Sequence, residues 1–197
     1  MGTHDEPPEE LPAAEPLLDE LQRKDAATLH HTEVVAQMAG WVAEALGLPE
    51  AVCAEVRQVA RLHDVGKALV PAEILIKPGP LDEYEWSVMR LHPEIGAAML
   101  RAEEALQHLA HAVRAHHERW DGGGYPDGLS GHDIPVVSRI VSVCDAFHAM
   151  VSDRPYRSAM GLDAALGELE ANAGSQLDPD VVEIVLERFR RDPHVRV

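Results

Sequence analysis

Apolar residues recur every three or four positions along most of the chain, which is the period of a helix that buries one face. The first such run extends from Val34 to Leu46. The second begins at Glu50 and reaches the pair His63-Asp64. The same period predicts further helices at about 82–92, 93–100, 103–118, 135–151, 162–173 and 178–191, with a short helical turn at 71–75. The pattern therefore predicts an all-α, single-domain helical bundle.

Two stretches interrupt the helical period. Residues 76–81 alternate proline and glycine with other residues, which indicates a loop. Asp82 follows this loop and suits the N-cap of the next helix. Residues 121–134 are rich in glycine and predict a second loop, with room for a short β-ribbon.

Composition agrees with helices packed on helices. The chain has 197 residues, of which 46% are apolar and only 4% aromatic, so small aliphatic side chains dominate the core. Residues 1–20 hold seven acidic residues and no lysine or arginine. We therefore expect residues 1–24 to form an acidic flexible leader and residues 25–197 to form the folded domain.

The cysteines and the apolar runs bear on the compartment. Cys53 and Cys144 lie in apolar contexts and share no spacing motif, which is typical of reduced core cysteines in a cytoplasmic protein. No apolar run approaches the roughly 18 residues of a transmembrane helix. The N-terminus lacks the pattern of a signal peptide. We expect a cytoplasmic protein that makes no membrane contact.

Net charge limits the possible partners. The chain carries a formal charge of −17, and about −10 remains after the seven acids of residues 1–20 are removed. Such a surface repels duplex nucleic acid and anionic lipid. A small phosphorylated substrate is compatible with it, provided that metals and a few local bases reverse the field in the pocket.

The residues with candidate chemistry are histidines and aspartates that lie far apart in the sequence. His63-Asp64 ends a predicted helix and is followed by Gly66 and Lys67. Asp145 lies within an otherwise apolar helix, where an unpaired carboxylate is costly, so a cation or a strong hydrogen-bond partner is expected beside it. Imidazole nitrogen together with carboxylate oxygen suits Fe, Mn, Co, Ni or Zn. These residue types predict a divalent-metal site.

Taken one at a time, several of these residues have simpler explanations. His63 also suits a helix-end histidine with satisfied hydrogen bonds, and Lys67 an exposed lysine. His92 lies between two predicted helices, where either a ligand or an ordinary cap fits. Adjacent residues such as His116 and His117 point about 100° apart on a helix. Both reach one cavity only if it offers more than one ligand position; otherwise one is buried and the other faces solvent.

Short motifs distributed over about residues 25–185 carry a family resemblance. They are His63-Asp64 with Gly66-Lys67, Ile74 to Leu81, Leu91 to Gly96, His116 to Gly122, Gly124-Tyr125-Pro126, Arg139-Ile140-Val141, and Asp145 with Ser152 to Arg157. In combination they resemble the HD-GYP group within the HD superfamily of metal-dependent phosphohydrolases. The resemblance implies hydrolysis of cyclic di-GMP, a bacterial second messenger, by water that two or three metals activate.

The resemblance also implies the site residues. The metal ligands would be His31, His63, Asp64, His92, His116, His117 and Asp145. Asp64 would bridge the metals and Lys67 would contact the scissile phosphate, which makes these two the catalytic residues. Tyr125, Arg154 and Arg157 fall where members of the family touch the dinucleotide. Fe or Mn is favoured as the metal, with Zn, Ni and Co also compatible.

Two positions depart from the family pattern. Members with three metals carry a glutamate four residues before the first ligand histidine, and here that position is Ala27. The family usually has an arginine where this chain has Val34. We therefore predict two metals per chain. In the family that the chain resembles, a two-metal centre tends to accompany cleavage to the linear dinucleotide, so the resemblance implies pGpG as the main product.

Two other functions stay open at this point. The first is a catalytically weak signalling module that binds a cyclic dinucleotide or a partner protein, although a pure binder has no need of all seven ligands. The second is an HD phosphohydrolase that acts on another cyclic dinucleotide or on a nucleotide. A diguanylate cyclase or a sensor protein is a candidate partner, and a homodimer is compatible with the sequence.

Overall fold

Ten α-helices form the fold of the part of the chain that the structure describes. The computed structural model describes residues 12–24, 26–153 and 158–191, and only the backbone of residues 26–29. The helices are α1 Glu15–Lys24, α2 Ala26–Ala45, α3 Glu50–Leu62, α4 Ala72–Leu75, α5 Glu83–Met89, α6 His92–Ala102, α7 Ala110–Arg114, α8 Val136–Val151, α9 Leu162–Asn172 and α10 Pro179–Arg191. Short 3-10 helices lie at Val65–Leu69, Glu104–Leu109 and Gly131–Asp133. These described ranges contain no β-strand, which confirms the predicted all-α fold.

The core lies where α2, α3 and α8 pack against one another. Fully buried aliphatic side chains such as Val42, Val59 and Ile140 fill it, as the composition predicts. Phe147 is the largest fully buried side chain, and its ring packs against Phe189 of α10 at 4.9 Å between centroids. Helices α9 and α10 both pack against α8 and against each other.

The predicted flexible leader is corrected for its C-terminal half. Residues Glu15–Lys24 form α1, which packs against α2 and against the Val65–Leu69 segment. Leu18 and Leu21 are buried in this contact, with Leu21 fully inaccessible. Two leucines one turn apart are enough to dock a short helix, although the composition around them is acidic and proline-rich. Residues 1–11 lie outside the described residues.

The predicted long helix at 103–118 is also corrected. The chain there forms the 3-10 helix Glu104–Leu109, then α7 Ala110–Arg114, and then a turn that contains His116 and His117. The two histidines therefore do not lie on a helix, and the angular argument about them does not apply. The glycine-rich loop at 121–134 contains bends, turns and one 3-10 turn where a β-ribbon was considered.

A close backbone approach joins the segment after Asp64 to the start of α6. A Cβ added to Gly66 would lie 2.0 Å from the carbonyl oxygen of His92 and 2.6 Å from the backbone nitrogen of Gly96. Real Cβ atoms do not approach backbone so closely, so only glycine fits at position 66. This contact holds His92 beside Asp64, and it depends on a residue that carries no side chain.

The fold bears on the expectations about the cysteines and about membrane-spanning helices. Cys53 and Cys144 are both buried and unpaired, as expected of core cysteines. Within residues 12–24, 26–153 and 158–191, no helix combines the length and the apolar character needed to cross a membrane.

Candidate metal centre

The seven side chains predicted as ligands come together in one place. His31 comes from α2 and Asp145 from α8. His63 and Asp64 follow α3, His92 is the first residue of α6, and His116 and His117 lie in the turn after α7. Six of them form two groups of three, and within each group one ligand atom from every residue lies within 4.8 Å of the other two. The first group, called here the 92 group, is His92, His116 and His117, and the second, called the 31 group, is His31, His63 and Asp145.

Asp64 lies between the two groups and is 2% exposed. Its Oδ1 atom lies 3.4 Å from Nε2 of His92, in the 92 group. Its Oδ2 atom lies 3.5 Å from Nε2 of His63, in the 31 group, and accepts a 2.6 Å hydrogen bond from Nζ of Lys67. One carboxylate thus presents an oxygen to each group, as a ligand that bridges two cations must.

Three of the histidines are oriented by the same local device. Nδ1 of His63 lies 2.7 Å from the carbonyl oxygen of Ala60, three residues earlier. The same bond joins His92 to Met89 at 2.8 Å, and His116 to Val113 at 2.6 Å. A carbonyl only accepts, so each Nδ1 must donate, and in the neutral ring each Nε2 then carries the free lone pair. The helix ends therefore fix both the tautomer and the direction of the ligand atom.

The Nε2 lone pairs of His92 and His116 point at each other, an arrangement that a cation between them would stabilise. Nε2 of His92 faces Nε2 of His116 at 3.2 Å, although neither atom has a proton to donate. Two nitrogens that each lie about 2.1 Å from one shared cation, at right angles, stand about 3 Å apart. Within the described residues, Nε2 of His63 and Oδ1 of Asp64 are buried without any hydrogen-bond partner. Because a buried polar atom without a partner is costly, these orphaned atoms suit metal coordination.

His31 has a different outer partner from the other three. Its Nδ1 lies 2.6 Å from Nδ1 of His148, whose Nε2 lies 2.9 Å from Oγ of Ser152. Its Nε2 faces Oδ1 of Asp145 at 2.9 Å, inside the 31 group. If Nδ1 of His31 donates to His148, Nε2 is left with its lone pair toward Asp145, and two acceptors again face each other across a position suited to a cation.

Burial and neighbouring charges shift the pKa values of the 92 group and of Asp64. Burial lowers the pKa of His92 to about 3 and that of His117 to about 4, and it holds the pKa of His116 well below its usual range. Burial acts in the opposite direction on Asp64, but Lys67 and the neighbouring histidines hold its pKa well below the usual value. At neutral pH His92, His116 and His117 are therefore neutral and Asp64 is a carboxylate, the protonation states that bind metal.

Lys67 and Tyr125, predicted to contact substrate, border the two groups. Lys67 is partly buried and reaches Asp64. The Tyr125 ring stacks on the ring of His117, with centroids 4.9 Å apart, and Tyr125 donates its backbone N–H to the carbonyl of His117 at 3.2 Å. Arg154 and Arg157, also predicted to contact substrate, lie outside the described residues. Ala27 lies in α2, but its side chain is outside the described part.

The sequence prediction missed two residues that position the site. One is His148, described above, which follows Asp145 by three residues on α8. The other is Glu118, which is 3% exposed and whose carboxylate accepts the backbone N–H groups of Asp127, Gly128 and Leu129 at 2.6–3.1 Å. These bonds fold the glycine-rich loop back over the histidine pair. The only sequence signal for Glu118 was its place beside His116 and His117. That its carboxylate accepts bonds from the loop can be seen only once the loop is folded.

Comparison with known proteins places the chain in a family. The sequence pattern described as HD domain matches residues 15–181, which is most of the chain. The chain belongs to the HD domain family. The resemblance to its HD-GYP group is confirmed by relatives such as the cyclic di-GMP phosphodiesterase response regulator RpfG of Xanthomonas campestris pv. campestris, which is 44% identical over 168 residues. That match covers 84% of this chain and 44% of the relative.

A second relative is named for a different substrate, 3′3′-cGAMP. The 3′3′-cGAMP-specific phosphodiesterase 2 of Vibrio cholerae is 37% identical over 175 residues, covering 88% of this chain and 34% of the relative. The chain thus spans less than half the length of these relatives. An HDG"Y"P protein from Bdellovibrio bacteriovorus has a similar fold, with a TM-score of 0.67 at 17% identity over 90% of this chain and 61% of that one.

Proposed function

We propose that the chain is a metal-dependent phosphodiesterase that hydrolyses cyclic di-GMP, mainly to linear pGpG, with two metal ions. The observation that carries the proposal is Asp64, whose two oxygens face two separate ligand groups. The names of the relatives support a cyclic dinucleotide as the substrate. Cyclic di-GMP is favoured over 3′3′-cGAMP because the relative named for cyclic di-GMP is more similar, 44% against 37% identical.

In this proposal the two groups hold one ion each. The 92 group supplies three neutral imidazoles, and the 31 group supplies His31, His63 and the carboxylate of Asp145. Fe or Mn suits such nitrogen and oxygen donors, as do Zn, Ni and Co. Paired divalent metals, when bound, lower the pKa of water and neutralise charge on phosphoryl oxygens.

The chain's own residues complete the chemistry around the ions. Lys67 donates to Asp64, which keeps that carboxylate oriented and places a positive charge where the scissile phosphate would approach. The Tyr125 ring forms one wall of the site and covers a face of His117, which excludes water from that ligand. Arg154 and Arg157 remain proposed contacts to the dinucleotide.

The residue at position 27 is the basis for the proposed number of metals and for the proposed product. A glutamate at position 27 would offer a further carboxylate one turn before His31, and this chain has alanine there. We therefore propose that no third ion is held tightly. Release of pGpG, without rapid second cleavage to GMP, goes with the two-metal centre.

A turnover assay tests the proposal. The full chain is loaded with Fe²⁺ or Mn²⁺ under anaerobic conditions and incubated with cyclic di-GMP or 3′3′-cGAMP, and products are separated by chromatography. We expect pGpG from cyclic di-GMP, with little GMP and a lower kcat/KM for 3′3′-cGAMP. Tight binding of cyclic di-GMP without turnover would instead support a binding module, and turnover of neither dinucleotide by metal-loaded protein would refute the proposal.

His148 provides a second prediction about the same centre. His148→Ala removes the acceptor of Nδ1 of His31, so His31 loses its fixed tautomer. We expect the affinity of the 31 group for its ion to fall roughly 10- to 100-fold, the usual effect of losing an outer partner of a metal-bound histidine. His148→Asp restores an acceptor and should recover much of this loss. The measurement is a titration of metal-free protein with Mn²⁺, followed by mass spectrometry under native conditions.

The control for that titration is His108→Ala, because His108 is an exposed histidine of the 3-10 helix Glu104–Leu109. The control should bind both ions like the parent. Equal affinity of the His148→Ala variant and the parent for two ions would show that His148 does not position His31.

A further inference from the structure

A row of stacked groups leads outward from the candidate metal centre. The His117 ring stacks on the Tyr125 ring at 4.9 Å between centroids. The guanidinium of Arg90 lies over the Tyr125 ring, with Cζ 5.5 Å from its centroid. The same guanidinium lies over the ring of Trp86, one turn earlier on α5, at 5.9 Å. The exposed side chain of Arg90 therefore contacts two aromatic rings beside the site.

Arg90 differs from three nearby arginines in having no acidic partner among the residues that the structure describes. Arg114, Arg119 and Arg139 each form an ion pair with a nearby aspartate. Within the described residues no carboxylate pairs with Arg90, and its guanidinium lies over two aromatic rings. Its N–H donors are left for a ligand.

Contact with two aromatic rings restrains the guanidinium of Arg90 beside the site. The group is planar and carries its N–H donors along its edge. An arginine edge donates two parallel hydrogen bonds, and it matches a phosphate or the O6 and N7 acceptors of guanine. Adenine presents an amino donor where guanine has O6, so the same edge disfavours adenine.

The position of Arg90 favours the base over a phosphate. A phosphate under attack lies against the ligand groups, next to Lys67 and Asp64. Arg90 contacts the Tyr125 ring, which in turn stacks on the predicted ligand His117. A group one ring removed from that histidine suits the far edge of a nucleoside whose phosphate is at the metals. Trp86 is 47% exposed and Tyr84 72% exposed, which leaves aromatic surface for a purine to stack on nearby.

We propose that Arg90 recognises the Hoogsteen edge of a guanine base of the substrate, with Trp86 and Tyr125 holding its guanidinium in place. The proposal rests on the proposed cyclic dinucleotide activity and adds the residue that selects the base. Removing a bidentate arginine contact to guanine lowers discrimination by roughly 5- to 100-fold.

The test combines a variant with an altered substrate. Arg90→Met keeps an apolar chain beside the two rings and removes every donor. The 7-deaza analogue of cyclic di-GMP lacks the N7 acceptor and keeps both phosphates. For the parent, we expect kcat/KM to fall at least fivefold when the analogue replaces cyclic di-GMP. For Arg90→Met, we expect low and nearly equal values for both substrates, because the contact is already absent.

The control is Arg188→Met, since the guanidinium of Arg188 lies over the ring of Trp41 in a similar contact, 4.7 Å from its centroid. This variant should keep the parent's preference for cyclic di-GMP over the analogue. Metal content is measured for every protein and should equal that of the parent.

Different failures have different meanings. If Arg90→Met retains the parent's preference for cyclic di-GMP over the analogue, Arg90 does not recognise N7 and the inference is wrong, even if both rates fall together as they would for a lost phosphate contact. A parent that does not discriminate between the two substrates overturns the inference as well. If the parent hydrolyses no cyclic dinucleotide, the proposed function itself fails.

Discussion

An Asp64→Ala variant is expected to lose both bound metal and hydrolysis. The Asp64 carboxylate lies 3.4 Å from Nε2 of His92 and 3.5 Å from Nε2 of His63, so its removal takes one oxygen ligand from each group. It also leaves Lys67 without its 2.6 Å partner, next to both groups, where a free positive charge repels cations. The loss of activity should exceed the roughly 100-fold effect of losing an outer partner of a ligand.

Metal content by mass spectrometry and initial rates with cyclic di-GMP measure this effect. Asp178→Asn is the control, because Asp178 is another buried aspartate that is ion-paired with Arg139 rather than with the ligand groups. Circular dichroism checks the fold, and added Mn²⁺ should raise the melting temperature of the parent but not of Asp64→Ala. A folded Asp64→Ala protein with two ions per chain would contradict the bridging role.

The second large effect is the loss of one bound ion when either ligand group is disrupted. His92→Ala removes one of three nitrogens from the 92 group and leaves the 31 group complete. His31→Ala does the reverse. We expect the parent to hold two ions per chain and each variant to hold one, with hydrolysis of cyclic di-GMP lowered at least about 100-fold in both, since each ion contributes to stabilising the transition state.

Native mass spectrometry at increasing Mn²⁺ concentration measures the number of ions. His116→Ala should behave like His92→Ala, and His63→Ala like His31→Ala, because each pair shares a group. His108→Ala again serves as the control that keeps both ions. Three tightly bound ions in the parent would show that the inference from Ala27 is wrong, and variants that all keep two ions would show that the two groups are not separate sites.

Two errors in the sequence-based fold have the same physical origin. Leu18 and Leu21 form the buried face of α1, but local composition outweighs two leucines when no partner surface is known. In residues 103–118 the local helix propensity is high, yet Leu106 and Leu109 are buried on a 3-10 helix and the chain turns at His116. In both segments a tertiary contact determined the local structure, which propensity alone does not reveal.

The sequence alone determined the helical class, the positions of most helices and the residue types of the site. Apolar periodicity is a local property, and Asp145 stood out because a carboxylate in an apolar helix needs a partner. Only the tertiary structure decided how the predicted ligands are divided into the 92 group and the 31 group, with Asp64 between them. The direction of each ring depends on bonds at helix ends to Ala60, Met89 and Val113, and on how those ends pack. The packing of separate helices sets these ring directions, and the spacing of residues along the sequence contains no information about that packing.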